Sequence, residues 1–365
     1  MNIDAKRRYN RHLILDQVGP EGQEKLMSAK VLVIGAGGLG CPILSYLTAA
    51  GVGKIGIVDF DKVDESNLQR QVLFRNDDIG QNKAIAAAAH LKALNPLVDF
   101  HVVPERLTTK NALNLFRDYD LIIDGTDNFS TRYLVNDAIL ITNKPLVYGS
   151  IYKFQGQVSV FNYDNGPSYR CLFPEPPKPD SIKNCSEIGV IGVLPGIIGA
   201  QQANEAIKII LGIGKPLSGK LMIYDALNAS ATILKIERND EIVKNVIANR
   251  DGFETYDYDL FCGVNHEVSE GQISKSAFEQ LINDETFLII DVRELWETPE
   301  LGGDNVIRLP VDEIKHNLAV FDTEKHVVLV CQTGIRSAQV MDFLASKHGI
   351  SNLKELRGGI DALNK

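Results

Sequence analysis

From Lys30 onward the chain alternates short apolar runs with apolar-periodic stretches of helical length. "KVLVIG" reads as a buried strand and "GLGCPILSYLTAAG" as the helix after it. "KIGIVD" is the next strand. "NKAIAAAAHLKALNP" is a helix ended by Pro96, because proline drives the residue before it out of helical backbone. The alternation continues through "VDFHVVPE", "ALNLFRDY", "DLIIDGTD" and "TRYLVNDAILIT". Continuously apolar strands separated by helices predict βαβ units and a mostly parallel sheet. After "KPLVYGS" the rhythm changes. "QGQVSVFNYDNG" reads as a hairpin, the proline-rich "PEPPKPDSIKN" (174–184) as a loop or lid, and "VIGVLPGIIGAQQANEAIKIILG" as a long apolar helix. "KLMIYDALNASATILKIE" adds more strands.

Residues 240–268 are polar and aperiodic, which predicts a first domain over 1–245 and a linker over 246–267. A second unit, 268–365, follows. "SKSAFEQLIND" is an amphipathic helix with Ser274 as N-cap. "FLIIDVRE" and "HVVLVC" are strands, "RSAQVMDFLASKHG" a helix, and "NLKELRGG" a last strand running into a turn. The expected fold is α/β throughout: a Rossmann-like, mostly parallel sheet with an added β segment, then a small C-terminal α/β domain.

Composition narrows the function classes. Hydrophobic residues make up 44% and charged residues 23%, the balance of an ordinary soluble protein. No apolar run approaches the roughly 18 residues of a membrane span, and the first residues lack the apolar core of a secretion signal. Five cysteines without repeated spacing do not make a disulfide framework. A reducing, cytoplasmic setting is expected, and the thiols become candidates for chemistry. A net charge of −9 argues against direct nucleic-acid binding. It suits a protein partner with a basic patch.

The first chemical motif is "GAGGLG", with Gly35, Gly37, Gly38 and Gly40 between a strand and a helix. Such a loop lets backbone N–H groups and a helix N-terminus approach phosphate. Asp59, ending "KIGIVD", stands where an acid grips ribose hydroxyls. These two features alone would suit a nicotinamide or flavin cofactor. The next stretch, "DFDKVDESNLQRQVLF", does not. It gathers Asp59, Asp61, Asn67, Arg70 and Gln71. "GQNK" then sets Lys83 at a helix start, and "LIIDGTDN" ends a strand on Asp124, Asp127 and Asn128. A nicotinamide ring wants a flat apolar pocket. A triphosphate wants basic groups on its oxygens and a carboxylate for Mg²⁺.

In combination, "GAGGLG", "DFDKVDESNLQRQ", "GQNK" and "TDN" resemble the ThiF/MoeB/HesA family of ATP-dependent activating enzymes over roughly residues 5–240. The resemblance implies adenylation of the C-terminal Gly-Gly carboxylate of a ubiquitin-like sulfur-carrier protein, with release of pyrophosphate. It implies that Asp59 holds the ribose, that Arg70 and Lys83 bind phosphates, and that Asp61, Asn67, Gln71 and Asn128 line the nucleotide site. Asp127 would hold Mg²⁺ with ATP. Arg11, in "RYNRHLIL", matches a family arginine that reaches a partner subunit's ATP site, which implies a homodimer. No general base is required, because a carboxylate nucleophile is already ionised at neutral pH.

Many members of that family bind structural zinc through two C-x-x-C pairs. Here the first pair falls on Ser168 and Cys171, and the second, expected after "ILKIERND", has no cysteine. Cys262 stands alone, so no zinc is expected. Cys185, in "KNCSEIGVIGVLPG", resembles the family cysteine that captures the activated carrier. Cys41 reads as packing.

In the second unit, "VVLVCQTGIRSAQ" ends a strand on Cys331 and opens a helix near Arg336. The loop between invites an anion onto successive backbone N–H groups. Cysteine phosphatases carry five residues between the cysteine and the arginine; here there are four. With "IIDVRE" (Asp291, Arg293) and "LRGGIDAL", the segment resembles the rhodanese sulfurtransferases, whose cysteine carries a persulfide. Gln332 takes a position that is often basic in that family, and the tryptophan often found after the final Gly-Gly is absent. Inward N–H groups and Arg336 are expected to stabilise the sulfur anion.

Together the two resemblances imply a protein like the adenylyltransferase/sulfurtransferases. ATP activates the carrier, and the Cys331 persulfide, loaded by a cysteine desulfurase or thiosulfate, converts it to a thiocarboxylate. The "YRCLFPEPP" stretch favours the carrier of molybdopterin synthesis over those of thiamine synthesis or tRNA thiolation. The alternatives are a nicotinamide-dependent oxidoreductase with a rhodanese fusion and a non-catalytic carrier-binding scaffold.

Overall fold

The computed structural model describes residues 1–177, 189–263 and 271–363. Two compact units emerge, Met1–Val264 and Asn265–Lys365. The first holds an eight-stranded sheet: β1 (Lys30–Ile34), β2 (Lys54–Val58), β3 (Asp99–Val103), β4 (Leu121–Asp124), β5 (Leu146–Tyr152), β6 (Gln155–Phe161), β7 (Lys220–Asp225) and β8 (Ser230–Lys235). Their order is β3-β2-β1-β4-β5-β6-β7-β8. β1 pairs in parallel with both β2 and β4, β5 adds in parallel to β4, and the pairings β5–β6, β6–β7 and β7–β8 are antiparallel. The expected parallel sheet with an added β segment is therefore present.

The main helices of this unit are α1 (Gly40–Ala50), α2 (Lys83–Leu94), α3 (Thr109–Arg117), α4 (Phe129–Thr142), α5 (Val193–Leu211) and α6 (Asp240–Ala248). The period-2 pleat explains the layering. Val31 and Val33 face one apolar cluster with residues of α1, α2 and α5. Leu32 and Ile34 face another with residues of α3, α4 and α6. Full burial of each such side chain contributes about 1.5–3 kcal/mol, so β1 needs apolar residues at four successive positions.

The structure differs from the expected linker over 246–263. α6, a short 3-10 stretch Arg250–Thr255 and the turn Tyr258–Phe261 are ordered parts of the first unit. Val243, Phe253 and Tyr258 are buried in the second of its two clusters. Their spacing is irregular because three short elements share the segment, which is why no period shows in the sequence.

The second unit is an all-parallel sheet of β9 (Gln272–Ile273), β10 (Phe287–Asp291), β11 (Val306–Arg308), β12 (His326–Val330) and β13 (Leu353–Leu356), in the order β11-β10-β12-β13-β9. Its helices are α7 (Lys275–Leu281), α8 (Ile335–His348) and α9 (Gly359–Leu363). Val327 and Leu329 face one cluster, Val328 and Val330 the other. Ser274 caps α7 as expected, accepting from the Ala277 N–H at 3.3 Å. Among the described residues, no helix is long and apolar enough to cross a membrane.

Candidate functional site

In an open α/β sheet, ligands gather beyond the strand C-termini where the strand order reverses. Here that place is the end of β1, flanked by β2 and β4. Gly35 follows β1 with φ +92°, and a Cβ there would press the Gly125 carbonyl at 3.0 Å. A Cβ on Gly40 would overlap the Gly35 carbonyl. Both positions need glycine, one for its left-handed backbone and one for the close approach. Gly125, beyond β4, fits equally tightly against Ile34 and Gly35. "DGTD" was the signal for it, overshadowed by the acids on either side.

The side chains predicted for the nucleotide collect around this loop. Asp59, at the end of β2, accepts from the Ala36 N–H at 2.7 Å and the Asp61 N–H at 2.8 Å. Burial pushes its carboxyl up, while Lys83 and those two donors pull the other way. The Lys83 ammonium is buried and reaches the Asp61 carboxylate at 3.2 Å. Asn82 caps α2 and ties the carbonyls of Asp59 and Asp61, at 3.0 and 3.2 Å. The Arg70 stem lies 3.7 Å from where a Gly38 Cβ would sit, and Gln71 Nε2 is 3.7 Å from a Gly37 Cβ. Asn67 accepts the backbone N–H groups of both Arg70 and Gln71. Gln71 is buried, and its Oε1 has no hydrogen-bond partner among the described residues. An orphaned acceptor beside a glycine loop fits a ligand that brings a donor, such as a purine amine or a ribose hydroxyl.

Behind these groups lies a second layer, of which the sequence showed only Asp124. Asp124, fully buried, accepts from the N–H and hydroxyl of Thr126 at 2.9 and 2.6 Å. Arg132, buried on α4, donates to the Thr126 carbonyl at 2.9 Å and lies 3.9 Å from Asp124. Gln202 of α5 donates to the Asp124 carbonyl at 2.7 Å. These groups fix the loop that presents the exposed Asp127. An arginine in the first turns of a helix that is otherwise mostly apolar toward its C-terminus was the available signal for Arg132.

Two of the expected residues do not line the glycine loop of their own chain. Asn128 is exposed and caps α4, accepting from the Thr131 N–H at 2.9 Å, so its side-chain oxygen has a structural task. Arg11 is exposed and stands at the other end of α1 from the glycine loop. Its neighbours Tyr9 and His12 mark the spot: the Tyr9 hydroxyl accepts from Asn95 at 2.8 Å beside the α1 C-terminus, and His12 contacts Gln23, which donates to the Ala50 carbonyl. An eleven-residue helix spans about 16 Å, so Arg11 does not line its own chain's loop.

Cys185 lies outside the described residues. Cys41 is buried against the Ala36 carbonyl, and burial raises its thiol to about 12. Cys171 accepts from the N–H groups of Ser168 and Asn239, both at 3.3 Å. Among the described residues no three His, Cys, Asp or Glu side chains group to hold a metal.

In the second unit Cys331 follows β12 and is fully buried. The Gly334 N–H donates to its Sγ at 3.1 Å, and the Ser337 hydroxyl lies 3.4 Å away. Gly334 has φ +91°, which turns the loop back onto the sulfur. The Cys331 carbonyl accepts from Ile360, and that of Gln332 from Asp361, so the turn at Gly358–Gly359 braces the loop. Arg336 forms a bidentate pair with Glu297 at 2.6 and 2.7 Å, not with the sulfur. That carboxylate is held low mainly by its hydrogen bonds to Arg336 and the Glu294 N–H, against the upward pull of burial. Gln332 is bridged: it accepts from Arg293 at 3.0 Å and donates to Asp361 at 2.7 Å. Arg293 and Asp291 form a buried pair at 2.8 Å beneath it.

Comparison with known proteins adds the following. The ThiF family model matches residues 9–244, and the rhodanese-like domain model matches 274–365. A sulfur carrier protein adenylyltransferase of Thermus thermophilus is 53% identical, over 70% of this chain and 96% of its own length. A probable adenylyltransferase/sulfurtransferase, MoeZ, of Mycobacterium tuberculosis is 44% identical, over 98% of this chain and 92% of its own length. The adenylyltransferase and sulfurtransferase MOCS3 of Drosophila sechellia is 38% identical, over 97% and 82%. Among solved structures, E. coli MccB with ATP superposes with a TM-score of 0.56 at 22% identity, covering 64% of this chain and 72% of that one. That likeness concerns the fold.

Proposed function

The chain belongs to the ThiF family and carries a rhodanese-like domain, and from this we propose that it activates a ubiquitin-like sulfur-carrier protein with ATP and gives it sulfur from Cys331. It is an enzyme of the adenylyltransferase/sulfurtransferase class. One observation carries the reading: a glycine loop ringed by Arg70, Gln71 and Lys83 shares a chain with a cysteine whose sulfur accepts a backbone N–H.

The carrier's C-terminal carboxylate attacks the α-phosphorus of ATP, and pyrophosphate leaves. Catalysis of this step is positioning and charge neutralisation. Backbone N–H groups of the glycine loop and the side chains of Arg70 and Lys83 take the phosphate oxygens, and Asp59, Asp61, Asn67 and Gln71 hold the nucleoside. Asp127 would hold a magnesium ion, which neutralises triphosphate charge when bound. The terminal sulfur of a Cys331 persulfide then attacks the acyl carbon, and AMP leaves. A second thiol then attacks the Cys331 sulfur: the S–S bond of the former persulfide breaks, and the thiocarboxylate leaves with the electron pair. A disulfide forms between that thiol and Cys331, to be reduced by external thiol before the next cycle; Cys185 is the candidate for the second thiol. Burial of Cys331 keeps water from competing.

The exposed Arg11, remote from its own glycine loop, supports a homodimer in which it completes the partner's site. The favoured carrier is that of molybdopterin synthesis. The sulfur donor is a cysteine desulfurase or thiosulfate, and the setting is the cytoplasm.

The test is ATP–pyrophosphate exchange with a panel of small proteins ending in Gly-Gly. Exchange that depends on one of them is expected, and mixing Arg11→Ala with Lys83→Ala protein should restore part of the activity that each variant loses. NAD binding without exchange would favour an oxidoreductase. Carrier binding without exchange would favour a scaffold.

A further inference from the structure

Cys331 must lose a proton before it can accept sulfur, yet it is fully buried. Its Sγ has two polar neighbours among the described residues, the Gly334 N–H and the Ser337 hydroxyl. Arg336 is engaged by Glu297. The one hydrogen-bonded path from the sulfur to a titratable carboxyl, among the described residues, leads through Ser337 Oγ to Glu355 Oε2, at 2.9 Å. Glu355 is 2% exposed, although it stands on a strand.

The surroundings of Glu355 suit a proton acceptor. From β9, Gln272 donates to its Oε1 at 2.7 Å. From α8 it faces Ser337 and the carboxylate of Asp342. From the end of β12 it meets Cys331 through Ser337. No cation offsets the charge among these neighbours, and burial raises the affinity of the carboxyl for a proton.

Ser337 has one proton and three acceptors around it: the Gly334 carbonyl at 3.0 Å, Glu355 and the sulfur. When Glu355 is ionised, Ser337 donates to it and turns a lone pair to the thiol. When Glu355 is protonated, it donates to Ser337, whose own O–H is then available to a sulfur anion.

We propose that Ser337 and Glu355 form a proton relay that deprotonates Cys331 for sulfur loading. The thiol proton passes to Ser337 Oγ as the proton of Ser337 passes to Glu355 Oε2. The sulfur keeps the electron pair and is held by the Gly334 N–H and the Ser337 O–H. With thiosulfate as donor, the thiolate then attacks the outer sulfur, the S–S bond breaks, and sulfite leaves with its electron pair. Ser337 touches the reacting atom; Glu355 is a positioning residue that acts only through it. The inference rests on Cys331 being the sulfur-carrying thiol.

The experiment is alkylation of Cys331 by iodoacetamide in the full chain across pH, followed at the peptide level by mass spectrometry. In Ser337→Ala, where the sulfur anion loses its hydroxyl donor and the path to Glu355, the midpoint of the rate profile should rise by about one pH unit, roughly tenfold slower reaction at neutral pH. In Glu355→Gln, which cannot take the proton, the two-step profile of the coupled thiol and carboxyl should become a single step. Ser337→Thr should keep the profile of the unmodified protein. Superimposable profiles for Glu355→Gln and the unmodified protein would overturn the relay. If Glu355→Gln does not fold, Ser337→Ala decides by the same criterion. Alkylation needs no sulfur donor, so a shifted profile in a protein inactive with thiosulfate would uphold the relay and reject the sulfur-carrying role.

Discussion

Cys331→Ala is expected to reduce thiosulfate-to-cyanide sulfur transfer to background while carrier-dependent ATP–pyrophosphate exchange stays at its original rate. Asp127→Ala should do the reverse, lowering exchange about 10²–10³-fold, as losing one preorganised electrostatic group does, and sparing sulfur transfer. The separation follows from the architecture. Each unit has its own sheet and its own apolar clusters. Cys331 lies at the end of β12 and packs within one apolar cluster of the second unit. Among the described residues the other groups at Sγ are a backbone N–H and a serine hydroxyl, neither of which can hold the sulfur. Asp127 is exposed beyond β4, so its loss costs little packing and leaves the support from Asp124, Thr126 and Arg132 in place. Retained sulfur transfer in Cys331→Ala would reject the persulfide assignment. Parallel loss of both activities in either variant would mean that the units depend on each other.

What the sequence revealed and what it hid have physical reasons. Strands such as "KVLVIG" were legible because both faces are buried and every position must be apolar. The glycine loop was legible because Gly35 and Gly40 leave no room for a side chain. β9 and β11, two and three residues long, carry too little pattern to see. The partners of predicted residues were hidden for a different reason: they come from distant segments. Glu297 reaches Arg336 across 39 positions, and Gln202 reaches Asp124 across 78. Residue type predicted that Arg336 would face an anion, but the anion it meets is a carboxylate of its own chain. The positive charge that Gln332 seemed to remove is supplied beneath it by Arg293, itself neutralised by Asp291.

The segment 240–263 raises a last question: what fastens it to the rest of the first unit. Asp137 of α4 is the fastening point. It accepts from Arg170 Nε and Nη2 at 2.7 and 2.8 Å, from the Tyr258 hydroxyl at 2.8 Å and from Asn136 at 2.9 Å. The Arg170 guanidinium also lies 4.8 Å from the ring centres of both Tyr133 and Phe261. One ion pair thus joins α4, the Ser168–Cys171 turn and the turn at Tyr258–Phe261. Arg170→Ala is expected to destabilise the first unit by about 3–5 kcal/mol, the usual cost of leaving a buried charge alone. Tyr258→Phe should cost less, about 1–3 kcal/mol, because Asp137 keeps its arginine. Replacing Arg170 and Asp137 together by apolar residues of similar volume should recover most of the loss, since neither charge is then stranded. Urea unfolding followed on the first unit measures all three. A chelator added to the unmodified protein should leave the midpoint in place. A midpoint that falls with chelator, or an Arg170→Ala protein as stable as its parent, would mean that something other than this ion pair closes the segment.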